Sequence, residues 1–237
     1  MPEEGIEQAL VAHDFWAHEI AVEKIPVPRS YYTSPLTRCL RTANLTFNGL
    51  DLPHRYPFQP LIKELLREGI SLHTCDHRRS KSYIHDLFPS WPFEPGFKEN
   101  DKLWNGVTAE TSSAQDARSK KWLDQVFSED DNTWISITSH SGEIASTLRV
   151  LGHQEFSLNT GAVIPVLVKA EYLPRDDSST SIHWTTSTHC AAPPKTSSSD
   201  VPQGCVCTGS SGPVTTPLVT VTNTNAAGPT AYPGRDC

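Results

Sequence analysis

The sequence predicts an α/β protein, a three-layer α/β/α arrangement around a mostly parallel sheet. Three observations carry this expectation. Residues 30–34 (SYYTS) are short and β-prone and lead directly into a helical pattern. Residues 134–138 (WISIT) form a continuous β-prone run, as suits a strand covered on both faces. Between and around them, helical and strand-like segments alternate, which favours crossover connections and a parallel sheet.

The elements follow in order. Residues 5–24 place Ile6, Leu10, Phe15, Trp16 and Ile20 at approximately helical spacing and predict an amphipathic helix. Pro26 and Pro28 stop it. Ser34-Pro35 reads as an N-cap followed by proline at the first helical position. A helix through Phe47 follows, with Leu36, Leu40, Ala43 and Phe47 on one face. Residues 60–69 predict another short helix, ended by Gly69. Residues 71–105 are rich in His, Arg, Pro, Phe and Trp without a clean period, and a connection of that length is usually functional or partly disordered. Residues 109–128 return to a helical pattern, with Ala114, Ala117, Trp122, Val126 and Phe127 as expected core contacts. After the strand at 134–138, Ser139-His140-Ser141-Gly142 makes a tight turn. A helix at 143–151 ends at Gly152. Residues 160–169 predict a strand that Pro165 confines to an edge or an irregular position.

The chain has 237 residues, 37% hydrophobic and 20% charged. From residue 188 to 237 it is dominated by Ser, Thr, Pro, Gly and Ala, too poor in large apolar groups to offset ordering entropy. The expected organisation is one domain over 1–187 and a disordered tail over 188–237. A net charge of −7 argues against a general nucleic-acid binder. No run of about 18 apolar residues predicts a membrane span. The acidic start lacks the apolar region of a signal peptide, so the expected location is the cytoplasm. Of six cysteines, Cys205 and Cys207 lack the C-x-x-C spacing of redox and zinc motifs.

Four spots could carry chemistry. Arg38 falls in the first turns of a helix that follows a strand. A cation there opposes the helix dipole, but an anion held between it and the free N–H groups would make sense of it. The alternative is a surface arginine reaching a nearby carboxylate. His140 follows an apolar strand and precedes a helix, at the edge of the sheet where ligands bind in such folds; a lone histidine is more often structural. A serine-hydrolase elbow at Ser141 fails, since positions 139 and 143 are Ser and Glu rather than Gly. Glu64 and Glu68, four apart, could share a helix face, and a shielded carboxyl can act as a general acid; an ordinary solvated face is the alternative. His73, Cys75, Asp76 and His77 are potential metal ligands, but their spacing matches no zinc pattern. Arg78 or Arg79 could face a phosphate or substrate, or Asp76 and Arg78 could simply pair.

The order of these elements resembles the histidine phosphatase superfamily, in particular its fungal phosphoglycerate-mutase-like branch. The likeness is carried by Gly5-Ile6-Glu7-Gln8-Ala9, Tyr32-Thr33-Ser34-Pro35-Leu36-Thr37-Arg38, Leu65-Leu66-Arg67-Glu68, Cys75-Asp76-His77-Arg78 and His140-Ser141-Gly142-Glu143, over residues 3–170. It implies phosphomonoester chemistry through a phosphohistidine, with Arg38 and His140 in the phosphate pocket. It also implies Glu68 as the acid that protonates the leaving oxygen, with Glu64 as runner-up. No cofactor or metal is implied, and the expected partner is a small phosphorylated substrate or ligand. The family's Arg-His-Gly motif, which supplies the nucleophilic histidine, occurs nowhere in the 237 residues. In the family that motif and its strand precede the helix that begins here near residue 5. The resemblance therefore implies very low turnover and a sheet lacking its first strand, with ladder groups unpaired and apolar side chains uncovered. Instability, compensation by another segment or an incomplete gene model is expected.

Overall fold

The computed structural model describes residues 1–156 and 158–170. The tail expected at 188–237 lies outside them. Helix α1 (Glu3–His18) runs into a π turn at Glu19–Glu23, and strand β1 (Ser30–Thr33) leads to α2 (Thr37–Phe47). Strand β2 (Leu61–Ile62) and a 3-10 turn at Glu64–Leu66 precede a long connection holding a second 3-10 turn at Thr74–Asp76 and helix α3 (Lys81–Leu87). Then come α4 (Ser112–Glu129), β3 (Ile135–Thr138) and α5 (Ser141–Val150). The three strands form one parallel sheet in the order β2-β1-β3, so the predicted α/β class holds.

Side-chain alternation on β1 feeds both faces of this sheet. Tyr31 points to α2, where its ring meets Phe47 at 5.3 Å, and to Phe58 in the connection beyond it at 5.2 Å. Tyr32 points the other way, into a cluster with Leu66, Trp122, Leu123, Val126 and Leu151. The α2 face expected from its spacing is the buried one: Leu36, Leu40, Ala43 and Phe47 are all within 4% of full burial.

Other expectations shift for identifiable reasons. Helix α1 buries Gly5, Ala9, Ala12 and Phe15, while Ile6 and Leu10 are exposed. Small residues let α1 lie close to α2, close enough for Ser/Thr and His side chains to reach across: His13 Nδ1 contacts the Thr46 carbonyl at 3.0 Å. Ser34 is not the N-cap of α2. The helix starts at Thr37, and the Ser34 hydroxyl instead accepts from Leu36 N–H at 3.3 Å. The helix expected at 60–69 is a short strand followed by a 3-10 turn. Leu61 and Ile62 pair with Tyr32 and Thr33, a ladder incompatible with helical dihedrals. The strand expected at 160–169 has no ladder beyond an isolated bridge at Lys169; Pro165 lacks the N–H such a ladder needs. Within α4, Ala114 and Ala117 are exposed, and Arg118 and Ser119 occupy buried positions instead.

The long connection is pinned by buried charge. Arg67, fully buried, forks onto Asp101 with N–H···O distances of 2.7 and 2.8 Å and also meets Glu64 at 3.0 Å. Asp101 further accepts from the N–H groups of Arg78, Leu103 and Trp104. Burial pushes its carboxyl up, but the Arg67 fork and these N–H groups outweigh that and hold it at about 2. No helix among the described residues is long and apolar enough to cross a membrane. Strand β3 is an edge of the sheet among the described residues, and Ile137 and Trp134 are 38% and 48% exposed there.

Because Arg67 is out of reach of water, Asp101→Ala leaves a buried guanidinium short of its main counter-charge. We expect the unfolding free energy in urea to fall by about 3–5 kcal/mol.

Candidate functional site

Parallel strands end on the same side. Thr33 pairs with Ile62 in β2 and with Thr138 in β3, so the chain leaves all three strands at one rim. The residues that follow each strand are thereby set side by side: Ser34 and Arg38 after β1, Glu68 after β2, His140 after β3. Such a rim is where open parallel sheets hold their ligands.

Arg38 is the second residue of α2 and its side chain is 38% exposed. It donates from Nη1 to the Cys75 carbonyl at 2.5 Å and from Nη2 to Asp76 Oδ1 at 3.1 Å. A guanidinium carries five donor hydrogens, so these two bonds leave donors in hand. Asp76 pairs with Arg38, not with Arg78.

His140 is the N-cap residue of α5, with extended backbone (φ −122°, ψ 158°). Its Nε2 lies 2.8 Å from the Ser34 hydroxyl. Only 9% of His140 is exposed. Desolvation, reinforced by the charges of Arg38, Arg118 and Arg67, holds its proton affinity well below the ordinary imidazole value of 6.5. The ring is neutral at neutral pH, with one donor and one acceptor nitrogen.

Glu68 sits against the start of α5. Its carboxylate accepts from Gly69 N–H at 2.9 Å and from Gly142 N–H at 3.3 Å. A Cβ at position 142 would collide with Glu68 Oε1, so glycine is what lets the acid approach this helix end. Below these groups lies the buried thiol of Cys39, which donates to the Thr138 carbonyl at 3.2 Å. Burial pushes it up to about 11, against the hydrogen bonds of Thr33 and Ser34 and the charge of Arg38.

The runner-up acid stands elsewhere. Glu64 and Glu68 do not share a helix face, because no helix forms there. Glu64 is committed to Arg67 at 3.0 Å and to Arg78 at 2.8 Å. Desolvation raises its pKa against those two charges. Arg78 does not face a substrate: it is 1% exposed and is consumed by Glu64 and the carbonyls of Arg79, Lys98 and Glu99. Arg79 is exposed beside the Tyr83 ring. No group of three or more His, Cys, Asp or Glu gathers as a metal site among the described residues.

Two features escaped the sequence reading. Ser34 is fully buried and is the hydrogen-bond partner of His140; its place directly after a strand was the available signal. Glu143, also fully buried, accepts from Ser119 at 2.7 Å, Trp122 Nε1 at 2.9 Å and Gln115 at 3.1 Å and meets Arg118 at 3.0 Å. Nothing in a single sequence marks such a carboxylate as internal.

Fold and rim together define a parallel α/β domain whose arginine, histidine and acid gather beyond the carboxyl ends of its strands. The chain belongs to the histidine phosphatase superfamily (branch 1), whose family model matches residues 1–161. It is 53% identical over 171 residues to an Arthroderma benhamiae protein named "Probable phosphoglycerate mutase", covering 72% of this chain and 51% of that one. It is 40% identical over 147 residues to "Phosphomutase-like protein 3" of Candida albicans, covering 62% of this chain and 45% of that one. The chain thus spans about half the length of these curated relatives. Among solved structures, a mycobacterial glucosyl-3-phosphoglycerate phosphatase is similar with a TM-score of 0.40 at 18% identity, covering 65% of this chain and 68% of that one.

Below about pH 6.5 the unfolded chain binds a proton on His140 that the folded state, which holds the ring neutral, does not. Stability therefore falls as pH drops below 6.5, by up to about 1.4 kcal/mol per pH unit for this one group. Urea titrations between pH 7.5 and 5 should show a shallower loss for His140→Gln than for the parent chain. The other histidines and the carboxylates cancel in that difference.

Proposed function

We propose that this domain binds the phosphoryl group of a small phosphomonoester, with Arg38 and His140 holding the oxygens and Glu68 placed to protonate the leaving oxygen. The observation that carries the reading is the parallel register that releases the segments of Arg38, Glu68 and His140 at one sheet rim, with His140 on Ser34 and Glu68 on Gly142 at the start of α5. A guanidinium and helix N–H groups stabilise a transferring phosphoryl group by charge already in place. A carboxyl at the same rim is the natural proton donor to an alkoxide. Phosphomonoester chemistry is supported by the membership of the histidine phosphatase superfamily.

The 237 residues hold no Arg-His-Gly motif, and the proposal for them alone is phosphate binding with an expected very low turnover. That same observation favours a second reading, a non-catalytic domain that binds a phosphorylated ligand through Arg38 and His140.

Calorimetric titration of the full chain with inorganic phosphate tests the shared core of both readings. The parent chain should bind, and Arg38→Ala should weaken binding by about 10- to 100-fold, the loss of a charge-assisted hydrogen bond. No binding by the parent chain, or equal binding by Arg38→Ala, would sink both. Hydrolysis of p-nitrophenyl phosphate that falls in Glu68→Gln selects the catalytic reading; binding without hydrolysis selects the other.

A further inference from the structure

Arg118 is 8% exposed, lies on α4, and belongs to none of the groups assigned to phosphate. Its guanidinium donates from Nη1 to the carbonyls of Leu65 and Arg67 at 2.7 and 2.9 Å, and from Nη2 to the carbonyl of Glu68 at 3.3 Å. The same head meets Glu143 at 3.0 Å. Glu110 closes the far side through Nε and Nη2, at 2.9 and 2.8 Å.

We infer that Arg118 is a positioning residue for the phosphate site: it ties the segment that carries Glu68 to the helix that His140 heads. This rests on the site reading proposed above. The pattern of contacts is the reason. In and just after the 3-10 turn, carbonyls 65, 67 and 68 have no ladder partner, and one planar fork takes all three. Glu143 stands three residues after His140, about one helical turn away. Its carboxylate is gripped by Ser119, Trp122 and Gln115 as well, so the rotation of α5 about its axis is set by the same centre that sets the Glu68 backbone. Glu68 then reaches Gly142 N–H, one residue before Glu143. The field of Arg118 also extends to both ends of this link, opposing a proton on His140 and being itself favoured by Glu68. A lysine keeps the charge but cannot make the fork, since its ammonium presents a single point of donors.

The test uses the full chain with Arg118→Lys and, as a gentler variant, Glu110→Gln, which frees Arg118 on the side away from the site. Folding is followed by circular dichroism, inorganic phosphate affinity by calorimetry, and the Gly142 amide and His140 ring by NMR. In folded Arg118→Lys we expect phosphate affinity to fall about tenfold, the loss of one or two hydrogen bonds' worth of order. The Gly142 amide should shift, and the shift should be smaller when the change is made in a Glu68→Gln background, because one of its two routes, through Glu68, is then cut while the route through Glu143 remains. A folded Arg118→Lys with unchanged phosphate affinity and an unchanged Gly142 amide overturns the inference. So does a shift of undiminished size without the Glu68 carboxylate. If both variants unfold, Arg118 is a stability residue and the inference is wrong. Failure of the parent chain to bind phosphate defeats the site reading instead, and the Gly142 and His140 signals then decide the role of Arg118 by themselves.

Discussion

The constraint on which the rest of this structure depends is the parallel register of β1 with its two neighbours. Thr33 lies opposite Ile62 and Thr138. Each of those positions is the last residue of its strand, so three distant segments are released at the same height and on the same side. Arg38, Glu68 and His140 owe their proximity to that ladder and to nothing in their local sequence. Ser34 N–H donating to the Thr138 carbonyl at 3.1 Å and Lys63 N–H donating to the Thr33 carbonyl at 3.0 Å extend the register past the strands and into the rim itself.

Behind the rim the protein uses arginine as internal scaffolding. Arg67, Arg78 and Arg118 are each buried, and each satisfies backbone carbonyls in irregular segments as well as carboxylates. Irregular backbone buried in a core has polar groups that no helix or sheet can satisfy. A planar five-donor head reaches several such carbonyls at once, and its charge is offset by Asp101, Glu64, Glu110 and Glu143. These clusters order the stretch from 64 to 105, which carries little regular structure. Their desolvation is costly, which makes each partner indispensable once the other is buried.

The histidine at the centre shows the same economy of environment. His140 shares its hydrogen bond with Ser34 and lies within the fields of three arginines. Burial and those charges keep the ring neutral, while Arg38 remains the more exposed group. The division places a permanent positive charge nearer the solvent and a neutral, hydrogen-bonding ring deeper in, against the start of α5.

Much of this was legible in the chain. The β-prone runs at 30–34 and 134–138 are strands, the α2 face is the buried one, and the spacing after each strand pointed to Arg38 and His140. Where reading failed, tertiary contacts had overruled local preference: residues 60–69 became strand and turn because β1 offered a ladder, and α1 buried its alanines because α2 lies close. The roles of Arg67, Arg78, Arg118 and Glu143 were invisible, because charge on a helix or loop reads as solvent-facing until its partner is known. The sequence by itself determined which residues alternate into strands and helices, since periodicity is a property of neighbours along the chain. Only the tertiary structure decided which carboxylates and guanidinia went inside, since that depends on counter-charges and carbonyls brought from segments far apart in the chain.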